Sequence, residues 1–365
     1  MAITRIGNPA IADQRGINFR NIIINGGMDV AQRGTSVSSV TATGYNTCDR
    51  FQTSFTGTAG TWTESQSTDV PSSQGFSKSF KLDCTTADAS LSTTDSLTIQ
   101  TKFEGQNLQY LLKGTSSAKN LTLSFWVKSN KTGTYIAELD DNDNARNINK
   151  SYTINSADTW EKKTITFAGD TTGAFDNDNG ASLRIFFWLA AGTNFTSGTL
   201  QTSWGSTVDA NRAVGQVNLA DSTSNEWYIT GVQLEAGQVA SDFEFLPFDV
   251  NENRCQRYFQ EVGGPVTGSV GFANSFTGLF NTTTEVIGNR ILPVKMRAAP
   301  TVTISALSTF DLEPFDQAPS TLVAQNSSPD EVNLNADSPT ARTKGFGGMI
   351  TIDQSAGYVR MDAEL

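Results

Sequence analysis

Apolar and polar residues alternate in several short stretches of the chain, and clusters of Thr, Ser, Asn, Gly and Asp separate these stretches. In residues 120–129, NLTLSFWVKS, every second residue is large and apolar, as in a β-strand that buries one face. Residues 183–189, LRIFFWL, repeat the arrangement. The predicted inward residues of the two strands are Leu121, Leu123, Phe125, Val127, Leu183, Ile185, Phe187 and Leu189.

Only one stretch has the spacing of a helix. In residues 104–114, EGQNLQYLLKG, Leu108, Leu111 and Leu112 recur at the interval of one helical face, and Gly114 follows as a plausible terminating residue. A single short helix among many strands predicts an all-β sandwich.

The composition changes near residues 245–259, FLPFDVNENRCQRYF, where a proline and polar residues precede a new series of strands. A chain of 365 residues is too long for one ordinary domain. We therefore predict a domain over residues 21–250 and a second, smaller β-sandwich over residues 251–365. Residues 1–20 have no periodicity and are predicted to form an extended N-terminal arm. In the second sandwich, Phe272, Phe276 and Phe280 share one strand face and are predicted to pack in the core.

Composition excludes several classes of mechanism. The chain has no histidine, which rules out Ser-His-Asp and Cys-His catalysis and every metal site that depends on imidazole. Its net charge is -11, so a nucleic acid backbone would be repelled. Nucleic acid is therefore excluded as a partner.

Targeting signals are also absent from the sequence. The first residues, MAITRIGNPAIADQRG, lack the apolar core of a signal peptide, and no stretch is long and apolar enough for a membrane span. Cys48, Cys84 and Cys255 are far apart and odd in number, so no disulfide framework is predicted. We expect synthesis and folding in the cytoplasm, without membrane insertion.

Seven segments together resemble a family of tailed-bacteriophage tail proteins, the tail fibre or receptor-binding components with a jelly roll similar to carbohydrate-binding modules. The segments occur in the order expected for that family, from residue 20 to the last residue. They are RNIIINGGMDVAQRGTS (20–36), CDRF (48–51), LTLSFWVKS (121–129), WYITGVQLEAGQVASDFEF (227–245), RCQRYF (254–259), LPVKMRAAPTVTI (292–304) and DAEL (362–365).

The resemblance implies a jelly roll over residues 21–250, with the first of these segments as its first strand. Gly26 and Gly27 would let the chain bend there or approach a neighbour closely. It also implies a homotrimer in the virion tail, held to another tail protein through the arm, that binds host surface polysaccharide without catalysis.

Two alternatives to a receptor-binding protein stay open. The chain has neither heptads nor the internal repeats of a long fibre shaft, so it would be a short fibre or tip, or a structural tail adaptor with no host contact. A depolymerase of capsular polysaccharide needs only a pair of carboxylates, which the 37 acidic residues supply many times over. No stacked short-strand repeat of a β-helix supports that second alternative.

Tryptophans on the polar faces of strands are the first candidates for glycan binding, because sugar rings stack on flat aromatic side chains. Trp126, Trp160 and Trp188 lie in this phase, and Arg184 is close to Trp188 in sequence. The alternative is that such rings pack under another sheet or at a subunit interface. Trp62 and Trp204 have polar, Gly/Thr/Ser-rich surroundings and are predicted in loops, which makes them competing candidates.

Two acidic stretches, LDDNDNA (139–145) and FDNDNG (175–180), contain the hard oxygen ligands that Ca²⁺ prefers. An EF-hand is excluded, because Ala145 stands where glycine is required and Ser151 where the bidentate Glu belongs. Ordinary hairpin turns are the alternative for both stretches. No cofactor is required by the predicted function, and a structural Ca²⁺ remains a side hypothesis. Its candidate ligands are Asp141, Asp143, Asp176 and Asp178.

Overall fold

The structure is a computed structural model that describes residues 19–263, 275–353 and 356–365. It is an all-β fold with few helices, as predicted. The chain divides into two compact units. Unit 1 contains the residues up to Asp29, Ser36–Gly44 and Phe51–Leu246, and unit 2 contains Val30–Thr35, Tyr45–Arg50 and Pro247–Leu365. Residues 1–18 of the predicted arm, and Phe272, lie outside the described residues.

Unit 1 consists of two six-stranded antiparallel sheets. One has the strand order β1-β3-β4-β12-β6-β9 and the other β11-β8-β7-β10-β5-β2. The strands are β1 Ser36–Val40, β2 Gln52–Thr56, β3 Thr61–Ser67, β4 Ser79–Thr86, β5 Ser96–Glu104, β6 Leu121–Ser129, β7 Gly133–Asp141, β8 Arg146–Ile154, β9 Glu161–Phe167, β10 Ala181–Ala191, β11 Gly205–Ser206 and β12 Glu226–Ala236.

The core of unit 1 lies between these two sheets. The inward residues predicted for β6 and β10 are all buried, which confirms the predicted core face, while most residues of the opposite face are buried as well. Phe125 of β6 meets Phe187 of β10 and Tyr152 of β8 in edge-to-face contacts, with ring centroids 5.1 Å apart in both pairs. Such geometry suits the aromatic quadrupole. The sheets therefore face each other through their predicted apolar sides and form a jelly-roll sandwich.

The segment NIIINGG does not form the predicted first strand, because β1 begins only at Ser36. It runs as irregular chain beside β12. Asn21 Nδ2 donates to the carbonyl of Val232 at 3.0 Å, and the Val232 amide donates to the carbonyl of Gly26 at 2.9 Å. A Cβ on Gly26 would lie 2.0 Å from the Val232 oxygen. The expectation of a close approach at this glycine is thus confirmed, although the strand is not.

The helix predicted over residues 104–114 is replaced by two single-turn 3₁₀ helices, Gly105–Asn107 and Gln109–Leu111. Leu108 and Leu111 are buried, but Leu112 is exposed with a φ of 54°, which ends the helical path. Among the described residues, two α-helices occur elsewhere: α1 Thr193–Thr196 and α2 Phe248–Gln256. Sequence patterning missed α2 because only Asn251 and Cys255 of it are buried. None of the helices in the described ranges has the length and hydrophobicity needed to cross a bilayer.

Unit 2 is the predicted second sandwich, with a three-stranded sheet of order β13-β21-β16 and a six-stranded sheet of order β17-β20-β14-β15-β19-β18. Phe276 and Phe280 are fully buried in its core, as predicted. The strands are β13 Phe259–Gly263, β14 Ser275–Phe280, β15 Glu285–Ile291, β16 Thr301–Ile304, β17 Phe310–Glu313, β18 Thr321–Gln325, β19 Glu331–Asp337, β20 Gly347–Ile352 and β21 Tyr358–Asp362.

Unit 2 also includes two short segments from the N-terminal part of the chain. Val30–Thr35 and Tyr45–Arg50 bring Arg33, Asp49 and Arg50 to the end of the chain. The predicted division at residue 250 places these two segments in the first domain. Sequence periodicity gives no information about which unit a loop contacts.

A buried ion cluster forms where these segments meet the C-terminus within unit 2. The Arg50 guanidinium pairs with Glu364, and both side chains are at most 5% exposed. Arg33 contacts Asp362 at 3.1 Å, Glu364 at 3.4 Å and Asp49 at 3.7 Å. Segments AQRG, CDRF and DAEL, which contributed to the resemblance, thus meet in one cluster. Charges removed from water in this way need close partners, which the two arginines provide.

Aromatic rings from the RCQRYF segment cover the two arginines of this cluster. The Arg50 guanidinium carbon lies 3.5 Å from the ring centroid of Tyr258, and that of Arg33 lies 3.6 Å from the ring centroid of Phe259. Planar guanidinium groups stack favourably on aromatic faces, most strongly where water is excluded. The rings therefore contribute to holding the cluster closed.

The buried carboxyl group of Asp49 is expected to make the stability of unit 2 depend on pH. Burial raises the pKa of Asp49 to about 6, although Arg33 and hydrogen bonds from Gln32 oppose the shift. A carboxyl whose folded-state pKa lies above its unfolded value stabilises the fold at low pH and loses that contribution as pH rises. We expect the contribution to fall between about pH 4 and pH 6. The uncharged Asp49→Asn variant should show a flatter dependence than the parent in denaturant unfolding over this range. An equal or steeper fall in the variant would contradict the assignment.

Candidate functional site

A groove of about 490 Å³ lies on the outer face of the sheet that contains β6 and β9, entirely within unit 1. Two of the tryptophans selected from the sequence, Trp126 and Trp160, line it together. The lining residues are Val70, Pro71, Ser72, Gln74, Trp126, Asp158, Thr159 and Trp160.

The sheet register fixes the floor of the groove. Trp126 lies near the end of β6, with Thr230 of β12 opposite on one side and Lys162 of β9 on the other. Leu121, Leu123, Phe125 and Val127 face the core, so the pleat turns Trp126 to the outer face, where it is partly exposed. The aromatic floor is therefore attached to a strand that is paired on both sides rather than to a loop.

One wall of the groove is the loop between β3 and β4. Residues 70–74, VPSSQ, follow Asp69, whose carbonyl accepts a hydrogen bond of 2.6 Å from Ser79 Oγ. The Asp69 amide in turn donates to Ser67 Oγ at 3.0 Å. These bonds tie the base of the loop to the ends of both strands, which holds Val70 and Pro71 against the groove.

Asp69 also fixes the second indole ring. Its carboxylate accepts a hydrogen bond of 2.9 Å from Trp160 Nε1 and pairs with Lys128. The Lys128 ammonium lies 4.1 Å from the ring centroid of Tyr228, and that ring meets Trp160 edge to face. Partial burial tends to raise the pKa of Asp69, but the hydrogen bonds from Lys128 and Trp160 outweigh it and lower the pKa. Asp69 is therefore an anion that holds Trp160 in place.

The opposite wall is the turn that leads from β8 into β9. Glu161 accepts hydrogen bonds from the backbone amides of Asn155 and Ser156 and from the Asn155 side chain, at 2.7–2.9 Å. Burial alone would raise the pKa of Glu161, but these bonds and Lys163 lower it to about 2. The Asp158 amide donates to the carbonyl of Ser129 at 3.0 Å. The turn is thus fixed at both ends.

Several polar groups of the groove have no partner among the described residues, namely Trp126 Nε1, the Ser72 hydroxyl and the Gln74 amide. Asp158 forms no ion pair there and is exposed. An arrangement of two indole faces with an amide, a hydroxyl and a carboxylate suits a ligand that has both C–H faces and hydroxyl groups.

Trp188 and Arg184 lie on the other sheet and are not brought to the groove. The segment between β10 and β12 covers this face, and Trp188 is 2% exposed in a cluster with Ile136, Phe186 and Ala213. Its indole nitrogen donates to buried Glu138 at 2.7 Å. The prediction that Trp188 binds glycan is therefore wrong. Trp188 is a packing residue, in line with the alternative that rings in this phase are covered by other parts of the protein. The Arg184 guanidinium forms an ion pair with the Asp140 carboxylate at 2.6 Å on the same sheet.

Of the two loop candidates, Trp62 is placed differently from the prediction, whereas Trp204 lies in a loop as predicted. Trp62 lies within β3, is fully buried, and donates from Nε1 to the carbonyl of Ala59 at 2.8 Å. No ring face is left for a ligand, so this candidate is corrected. Trp204 precedes β11 and is partly exposed, with its Nε1 donating to the carbonyl of Ala168 at 2.7 Å. It lies outside the lining of the groove.

The acidic stretches form turns closed by hydrogen bonds from nitrogen donors. Asp141 is bound by Lys113 and by the amides of Asp143 and Asn144. Asp143 accepts from the Asp176 amide at 2.9 Å, and Asp178 from the Gly180 amide at 2.8 Å. No group of three or more carboxylate or thiol side chains within the described ranges is arranged to hold a metal ion.

The residues that organise the groove were not predicted from the sequence: they are Asp69, Tyr228 and the loop with Ser72 and Gln74. One signal was present, because VPSSQG is a Pro/Ser/Gly turn between two strands, and loops on a rigid scaffold often carry binding residues. The pairing of Asp69 with Lys128 spans 59 positions and follows only from the strand order.

No protein-family model and no curated protein matches the chain. Among solved structures, the enzymatically active domain of tailspike protein 4 from bacteriophage CBA120 has a TM-score of 0.33 and 15% identity, covering 60% of this chain and 22% of that chain. A carbohydrate-binding module of family 61 in complex with β-1,4-galactotriose has a TM-score of 0.30 and 11% identity, with coverages of 60% and 99%. A family 11 carbohydrate-binding module of a Clostridium thermocellum cellulosomal cellulase has a TM-score of 0.28 and 13% identity, covering 56% of this chain and 98% of that chain. At these values no residue, ligand or activity is transferred to this chain.

Proposed function

We propose that the protein binds carbohydrate without catalysis, through the groove between Trp126 and Trp160, as a component of a bacteriophage tail that contacts glycan on the host surface. The observation that carries the proposal is the convergence of two indole rings and unpaired polar groups on the outer face of a rigid sheet. The assignment to a phage tail is supported by the sequence resemblance alone.

The chemistry of the groove supports this choice of ligand. Sugar rings present C–H groups on one face and hydroxyls around the edge, so they need flat apolar surfaces and directional polar groups together. Trp126 supplies the floor, and Trp160, held by Asp69, supplies a fixed second ring. Because both walls are hydrogen bonded to the sheet, the two loops need little backbone ordering on binding, which favours affinity.

The test measures binding of labelled full-length protein to bacterial cells and their extracted polysaccharides, together with the release of reducing ends. We expect saturable binding without release. Trp126→Ala should weaken it by about tenfold or more, because truncating a central aromatic anchor typically costs about 2 kcal/mol. Trp160→Ala should act in the same direction.

Trp204→Ala is the matched control, since Trp204 is a partly exposed tryptophan of unit 1 outside the groove. We expect it to bind like the parent. A loss of binding in this variant with normal binding in Trp126→Ala would move the site away from the groove. Release of reducing ends would overturn the non-catalytic assignment, and no binding to any polysaccharide would overturn the proposal as a whole.

A further inference from the structure

The groove contains only one ionisable side chain, and that side chain is acidic. Of its eight lining residues, Asp158 alone carries a charge, and it is exposed. No lysine or arginine belongs to the lining. A saccharide that enters the groove therefore meets a carboxylate with no cation beside it among the lining groups.

Two lysines lie near Trp126 in the sheet, and neither belongs to the lining of the groove. Lys128 is paired with Asp69, and its side chain is only 9% exposed. Lys162, opposite Trp126 on β9, is exposed but is not part of the lining. The protein as a whole has a net charge of -11, which adds a repulsive field for anions.

We infer that the groove selects uncharged polysaccharides over anionic ones, with Asp158 accepting hydrogen bonds from sugar hydroxyls. This inference rests on the proposed function and names its ligand class. A carboxylate is only an acceptor, so it pairs with hydroxyl donors in charge-assisted bonds and repels a carboxylate or phosphate on the ligand. Because the site is open to water, the repulsion is screened and should weaken as salt increases.

The test uses polymers that differ in charge alone. Dextran, mannan, galactan and extracted neutral bacterial polysaccharides are immobilised in three forms: unmodified, carboxymethylated and carbamoylmethylated to the same degree. The carbamoylmethyl group has the bulk of the carboxymethyl group without its charge. For a polymer that is bound, we expect the carbamoylmethyl form to bind like the parent polymer and the carboxymethyl form about tenfold or more weakly at low salt, with a smaller difference at high salt.

Two variants test whether Asp158 is the residue that discriminates against the carboxymethylated polymer. Asp158→Asn keeps the size of the side chain and should bring the two modified forms within about threefold of each other. Lys162→Ala should leave the parent preference unchanged. Equal or stronger binding of the carboxymethyl form by the parent protein would overturn the inference and leave the proposed function standing. Absence of binding to every form of every polymer, neutral or charged, would instead overturn the proposed function and the inference with it.

Discussion

Replacing Arg50 by methionine is expected to lower the free energy of unfolding of unit 2 by about 3–5 kcal/mol, because it strands a buried carboxylate. Glu364 is 5% exposed and has Arg50 as its closest cation, while Arg33 at 3.4 Å is shared with Asp362 and Asp49. The variant also loses the stacking of the guanidinium on Tyr258. Most of the effect should come from the unpaired charge rather than from the lost contact.

The distribution of tryptophan makes the two units separable in this measurement. All six tryptophans lie in unit 1, so their fluorescence reports on that unit. Unfolding of unit 2 is followed by hydrogen exchange of peptides from β13 and β21. We expect faster exchange there in Arg50→Met and an unchanged tryptophan transition.

Two further variants decide whether the ion pair of Arg50 with Glu364 is responsible for the loss of stability of unit 2. Lys295 and Asp330 form an exposed pair in the same unit, 67% and 58% exposed, so Lys295→Ala should change stability by less than about 1 kcal/mol. Adding Glu364→Gln to Arg50→Met removes the stranded charge and should restore part of the loss. If Arg50→Met behaves like Lys295→Ala, the cluster does not stabilise unit 2.

Strand faces were predictable from the sequence because their information is local. Alternation at Leu121–Val127 and Leu183–Leu189 identified the residues that face the core, although most of the opposite face of each strand is buried as well. The helix expected at Leu108–Leu112 does not form, because Leu112 takes a φ of 54° and ends the helical path after a 3₁₀ turn. The spacing of the leucines does not encode this backbone conformation.

The candidate site was only partly predictable, because exposure of a strand's second face depends on what the rest of the chain covers. Trp126 and Trp188 have equivalent positions in their strands. The segment after β10, which contains Phe195 and Ala213, buries Trp188, whereas the loop with Val70 leaves a groove beside Trp126. No local pattern distinguishes the two cases. The same limit applies to Trp62, whose polar neighbours in sequence concealed a buried strand position.

Substituting alanine for Gly26 is expected to destabilise unit 1 by about 3–5 kcal/mol. The new methyl group would lie 2.0 Å from the carbonyl oxygen of Val232, which is backbone of the central strand β12 and cannot turn away. Relief requires the segment to separate from β12, and this costs the bond from the Val232 amide to Gly26 and the bond from Asn21 to Val232. Two buried hydrogen bonds at about 1 kcal/mol each, plus overpacking of about 1–3 kcal/mol, give this magnitude.

Tryptophan fluorescence in denaturant measures this loss, and Gly205→Ala is the matched control in the same unit. On the short strand β11, its Cβ would meet only the end of the Gln201 side chain, at 3.3 Å, so a shift of a few tenths of an ångström by a side chain and not by backbone relieves the contact. We expect a change within about 0.5 kcal/mol there. Because β12 also carries Thr230, opposite Trp126, Gly26→Ala should loosen the sheet beneath the groove as well. Equal stabilities for the two variants would show that the contact of Gly26 with β12 is not a constraint on the fold, and the glycine pair in NIIINGG would then need another explanation.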